Sequence, residues 1–219
     1  MQTVFCVPTG QLFAVPDGLD DATAVLAEPL SIAYRAVQRS DIGAGETAVI
    51  FGAGPIGLLI AQVLIRARGC RALVVDLDRS RLMLAERVGA IGLLGGPNAV
   101  EEVSRATDGD MAACVFEATG APACVRQTTE LVRTTGRIVL VGWSHAPLEF
   151  DTVALMRKEA ELVGSRNSTG AFGPVLKLLE DGVVDAATMI THRLELDDAP
   201  EALRLLDRGE PALKIIVGT

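Results

Sequence analysis

The 219-residue chain lacks an excess of positive charge. Its 20 Lys and Arg stand against 28 Asp and Glu, for a formal net charge of −8. With no basic stripe along it, nucleic acid and anionic membrane surfaces are not expected as partners. Cysteine is scarce and scattered, and Cys6, Cys70, Cys114 and Cys124 include no C-x-x-C pair. Reduced thiols without a disulfide framework are expected, and Cys114, in an apolar run, reads as a small buried hydrophobe. The two histidines, His145 and His192, complete no zinc-ligand cluster with them and read as surface or structural residues. An unbroken membrane-length apolar segment is also missing. Residues 48–65 carry no formal charge, but Gly52, Gly54, Pro55 and Gly57 interrupt them. No basic segment followed by an apolar one opens the chain, so no secretory signal is read and the cytosol is the expected compartment. Internal repeats and low-complexity segments are absent too.

What is present is a core: 49% of the residues are hydrophobic, enough for one large domain or one domain plus part of another. The most informative stretch runs from Glu46 to Gly57, an apolar strand, a glycine turn and a helix start. Gly52 suits a tight turn, Gly54 lets backbone approach a pyrophosphate, and Gly57 lets helix and strand pack closely; Pro55 and Ile56 open the helix. Phosphates would sit on the free N–H groups at that helix start. Asp76 closes the next apolar run, placed to accept hydrogen bonds from ribose hydroxyls and to repel a 2′-phosphate, which predicts NAD over NADP. Arg79 and Arg81 lie close enough to soften that preference, or are simply exposed arginines at a helix start. A methyltransferase also combines a glycine loop with a strand-end acid, but the tight G-x-G-x-x-G helix start favours two phosphates over a sulfonium ligand.

Strands are predicted at 48–51, 72–75, 91–94, 113–116, 137–141 and 162–164, and helices at 55–67, 79–88, 99–106, 121–133 and 152–159. Gly69 and Gly89 stand just past helix ends, where positive φ is wanted. The alternation predicts an α/β fold, a doubly wound six-stranded parallel sheet of order 3-2-1-4-5-6. The ends depart from it. Strands are expected at 3–7 and 12–15, then a helix capped by Asp20, interrupted at Pro29 and resuming to about residue 39. A strand at 192–196, a helix near 198–207 and a strand at 214–217 close the chain. Both ends read as remnants of a second domain.

Four segments in this order, Ala27-Glu28-Pro29-Leu30-Ser31, the Gly52–Gly57 loop, Phe116-Glu117-Ala118-Thr119-Gly120 and Arg157-Lys158-Glu159, resemble the zinc-type medium-chain dehydrogenases. The branch they are most similar to contains sorbitol, threonine and sugar-acid dehydrogenases, and the resemblance covers essentially the whole chain. It implies a Rossmann unit at 41–167, with 1–40 and 168–219 belonging to a GroES-like catalytic domain. That domain's cysteine and His-Glu zinc ligands have no counterpart here, which implies a C-terminal portion of a longer protein. Glu28 matches a glutamate near or on the family's catalytic zinc, but alone it cannot hold the metal, and the residues leave it equally a solvated helix carboxylate. By the same resemblance Thr119 and Gly120 pass near the cofactor, and Val141, Gly142, Ser165 and Arg166 approach the nicotinamide end. Arg166 suits a carboxylate or phosphate, or a surface ion pair. The implied activity is NAD-dependent oxidation of a polyol or sugar acid, with zinc in the complete enzyme and a dimer or tetramer pairing through the edge strand near Leu162. The alternative is a non-catalytic NAD-binding module. Turnover by the chain with added zinc would sink that alternative.

Overall fold

A computed structural model describes residues 6–168, 170–208 and 211–218. Six strands form one parallel sheet: β1 (Thr47–Phe51), β2 (Arg71–Asp76), β3 (Ile91–Leu94), β4 (Ala112–Glu117), β5 (Val132–Leu140) and β6 (Glu161–Gly164). Their spatial order is β3-β2-β1-β4-β5-β6, with β1 flanked in register by β2 and β4. Sequence order reverses at the β1–β4 junction, where such sheets open a crevice beyond their carboxyl ends.

The side-chain alternation of β1 divides the core. Ala48 and Ile50 belong to one buried cluster with α2 (Ala27–Ser40), α3 (Pro55–Gln62), α4 (Arg79–Arg87) and α8 (Phe172–Glu180). Val49 and Phe51 face a second cluster with α5 (Ala99–Ala106), α6 (Pro122–Leu131) and α7 (Thr152–Lys158). Burial on both faces explains why the central strands β1, β2 and β4 read as nearly continuous apolar runs, while the edge strands β3 and β6 are more exposed. Leu58, Leu59, Ile60, Ala61, Val63 and Leu64 are all fully buried, as an all-round apolar helix requires.

Local signals set the boundaries. Asp78 and Asp151 cap α4 and α7 by accepting from Ser80 N and Ala154 N. Gly69 and Gly89 have φ of 66° and 95° past their helix ends. Several expectations need correcting. The helix read as 55–67 is α-helical only to Gln62, and Val63–Ala67 widens into a π-helical turn. The helix read to 133 stops at Leu131. β5 begins at Val132 and passes a left-handed Thr135 (φ 57°) beside a register shift against β4.

At the front end, residues 3–5 lie outside the described residues, and Cys6 and Val7 have no regular structure. Residues 12–15 form no strand: their backbone finds no ladder partner, and Phe13 instead stacks on Phe172 with ring centroids 5.0 Å apart. Asp20 caps α1 (Asp21–Ala24) as expected. The helix break falls at Val25–Leu26 and not at Pro29, which sits inside the first turn of α2 where its missing N–H costs nothing. After β6 come α8 and a short α9 (Ala186–Met189), then β7 (His192–Glu195), α10 (Ala199–Asp207) and β8 (Ile215–Gly218). β7 and β8 pair in parallel as a separate two-stranded sheet. Among the described residues no helix is long and apolar enough to cross a membrane.

Candidate functional site

The turn between β1 and α3 is built on a contact that only glycine permits. A Cβ at position 57 would lie 1.9 Å from the Gly52 carbonyl oxygen, and Gly52 itself has φ of 99°. A Cβ at Gly54 would meet nothing within 4 Å, so the backbone there faces open space. Gly54 is the N-cap of α3 and no side chain caps that helix, which leaves first-turn amides for an anionic ligand. Asp76 ends β2 beside the turn. One carboxylate oxygen accepts from Ala53 N at 2.7 Å and the other from Asp78 N at 2.9 Å. Each oxygen keeps a further lone pair for a ligand hydroxyl.

Beside these groups a cavity of about 300 Å³ runs across the carboxyl ends of β1 to β4. Gly52, Asp76, Leu77, Gly95, Thr119 and Cys124 contribute to its wall. Burial pushes the Cys124 thiol above its ordinary range, so its side of the cavity carries a neutral thiol opposite the Asp76 carboxylate. A larger depression of about 580 Å³ lies elsewhere, between α1 and the β7–β8 sheet, and has no glycine turn.

The next turn, after β4, is organised by Glu117, which the sequence places in the Phe116–Gly120 segment without giving it a role. Glu117 is 1% exposed. Its carboxylate accepts from Thr119 N at 2.9 Å, from Gly120 N at 3.0 Å and from the Thr119 hydroxyl. Gly120 (φ 71°) packs on the following loop so closely that a Cβ would lie 2.3 Å from the Trp143 carbonyl oxygen. Gly142 answers from the other side, where a Cβ would lie 2.1 Å from Gly120 N. Val141 N and Gly142 N both donate to the Glu117 carbonyl, and Ser165 N donates to Leu140 O. The loops after β4, β5 and β6 are thereby stitched into one rim.

The structure therefore gathers Gly52, Gly54, Pro55, Ile56, Gly57, Asp76 and Thr119 around one crevice, and continues along the rim to Val141, Gly142, Ser165 and Arg166. Two residues stand apart. Arg81 lies on α4, 3.8 Å from the Asp78 carboxylate, and lines a separate depression with Thr191 and Leu213. Glu28 is exposed in the first turn of α2. Among the described residues no three His, Cys, Asp or Glu side chains gather as a metal site. Glu117, Leu77 and Cys124 were missed, and only the position of Glu117 at a strand end before Thr-Gly carried any signal.

Fold and turn together define a Rossmann-type α/β unit. The chain belongs to the zinc-binding dehydrogenase family, whose sequence model matches residues 55–181. It is 35% identical to an uncharacterised zinc-type alcohol dehydrogenase-like protein of Haemophilus influenzae, over 98% of this chain and 64% of that protein. It is 34% identical to a sorbitol dehydrogenase of Halalkalibacterium halodurans, over 94% of this chain and 61% of the relative. Among solved structures, an alcohol dehydrogenase of E. coli CFT073 complexed with NADH superposes with a TM-score of 0.90 at 27% identity, covering 96% of this chain and 63% of that one. The chain thus spans less than two thirds of the length of these relatives.

Proposed function

We propose that this chain is the coenzyme-binding portion of an NAD-dependent zinc-type dehydrogenase acting on a polyol or sugar acid. The observation that carries the proposal is the Gly52–Gly57 contact beside an Asp76 carboxylate that still has free lone pairs, at the switch point of the sheet. Gly54 leaves room for a pyrophosphate against uncapped amides, the Asp76 oxygens suit vicinal ribose hydroxyls, and the cavity of about 300 Å³ lined by Leu77 and Cys124 offers largely apolar walls for a base. Bound NAD would supply the hydride acceptor for a secondary alcohol. The protein's own part is to hold both halves of the ligand along one stiff rim and to exclude water from the apolar base pocket. In this reading residues 41–167 form the nucleotide-binding unit and residues 1–40 and 168–219 the flanking unit, joined where α2 and α8 share a core with α3. The described residues do not themselves fit a zinc site, and no step is drawn through a metal.

Calorimetric titration with NAD, NADP and S-adenosylmethionine tests the proposal. NAD is expected to bind most tightly, and Asp76→Ala to weaken it by about tenfold or more while narrowing the gap to NADP. Tighter S-adenosylmethionine binding, or an Asp76→Ala variant with unaltered NAD affinity and preference, would overturn it.

A further inference from the structure

The cavity beside Asp76 has mostly apolar walls, and the hydrogen-bonding side chains along it differ in what they still have to offer. Asp76 stands at the ribose end. The Thr119 hydroxyl is engaged twice, donating to Glu117 and accepting from Ala121 N. Cys124 presents a neutral thiol, a weak donor and a weak acceptor. The remaining one is Gln127, which projects from α6 and is half-buried in the wall.

The Gln127 amide is oriented by its neighbour. Its Nε2 lies 3.5 Å from the Gly96 carbonyl oxygen, to which it donates. Such a long bond contributes little energy, but it has a direction. A carbonyl only accepts, so the nitrogen faces Gly96; the reverse orientation would set two oxygens against each other. Oε1 is then the free end, and it accepts no hydrogen bond among the described residues. The orienting loop is itself fixed. Gly95 N donates to Asp76 O at 2.8 Å, and Ala99 N donates to Gly96 O at 3.2 Å. One loop thus ties the Gln127 wall to the backbone of the residue that would hold the ribose, and so sets the span between them.

A purine base in this cavity meets an acceptor. Adenine offers a donor, its 6-amino group, on the ring edge remote from the ribose, whereas a 6-oxo purine offers a second acceptor at the same place. We infer that Gln127 is a specificity residue of the coenzyme site, accepting from the 6-amino group through Oε1, so that the pocket takes a 6-amino purine dinucleotide and rejects a 6-oxo one. This rests on the NAD reading and adds to it a choice of base that neither the glycine turn nor Asp76 can make. An oxo group would face Oε1 lone pair to lone pair, and turning the amide to relieve that clash would place Oε1 on the Gly96 carbonyl.

Calorimetric titration of the full chain with NAD and with nicotinamide hypoxanthine dinucleotide tests the assignment, since the two ligands share both riboses, the pyrophosphate and the nicotinamide. The wild type is expected to bind NAD about tenfold more tightly or better. Gln127→Met keeps the length of the side chain without its acceptor and should bring the two affinities within about twofold, chiefly by weakening NAD. Gln127→Glu keeps an acceptor. Its added charge should lower both affinities while leaving most of the preference for NAD in place. A wild type that binds neither dinucleotide sinks the functional proposal and this one with it. Equal binding of the two by the wild type overturns the base assignment alone. So does a Gln127→Met variant that keeps the wild-type ratio, which would move the selection elsewhere in the cavity. A Gln127→Glu variant as indifferent as Gln127→Met would show that the acceptor is not what selects, and would overturn it as well.

Discussion

The turn after β1 and the turn after β4 touch: a Cβ at Gly52 would lie 2.9 Å from Thr119 Cγ2. They sit on adjacent strands, at the same rim, and each carries one glycine at positive φ, yet they are fixed by different physics. The first is held by close packing of backbone on backbone, Gly57 against the Gly52 carbonyl, and its one charged anchor, Asp76, comes from the neighbouring strand and is only partly buried. The second is held from within by a buried carboxylate whose hydrogen bonds are all spent on its own turn. A site can thus be stiff for two reasons, and only the first kind leaves hydrogen-bonding capacity over. That capacity is what a ligand would use.

Three substitutions probe this contrast by denaturant unfolding, beginning with the largest effect. Gly57→Ala drives a methyl group into a carbonyl oxygen, and because the obstacle is backbone no rotamer change relieves it. A loss of about 3 kcal/mol or more is expected, and a near-neutral result would mean the turn relaxes freely. Glu117→Ala strands the Thr119 and Gly120 amides in a buried place and should cost about 2–3 kcal/mol. If it cost nothing, the second turn would be held by its glycine packing like the first. Thr119→Val keeps the methyl group against Gly52 but removes the hydroxyl that serves Glu117 and accepts from Ala121 N. About 1 kcal/mol is expected, since the inter-loop contact survives.

The sheet was legible in the sequence because burial on both faces writes the central strands β1, β2 and β4 as nearly unbroken apolar runs, and because the β1 turn carries glycines at fixed spacing. The order of the strands then follows from the doubly wound topology. What escaped was written in tertiary contacts. Residues 12–15 alternate like a strand, but a strand needs a partner edge and Phe13 found an aromatic ring. α8 was not anticipated because Gly173 and Pro174 stand in its first turn, where they are tolerated but read as breakers. The widening of α3 at Val63 has no compositional mark. The site divided in the same way. Gly52, Gly57 and Asp76 announce themselves by spacing, whereas Glu117 stands in a recognisable segment with no sign of its role, and its carboxylate becomes meaningful only once the chain has turned back over it.

The hydrogen bond from Ala53 N to Asp76 has a consequence for anyone redesigning this crevice. If Asp76 contacts the ribose as proposed, position 76 is the place to trade one coenzyme for another, but one of its carboxylate oxygens also tethers the glycine turn. A replacement chosen only to admit more negative charge would slacken the turn while enlarging the pocket. Retuning therefore has to keep a hydrogen-bond acceptor at 76, or else confine the changes to Leu77 and the residues after it, where the tether is left intact.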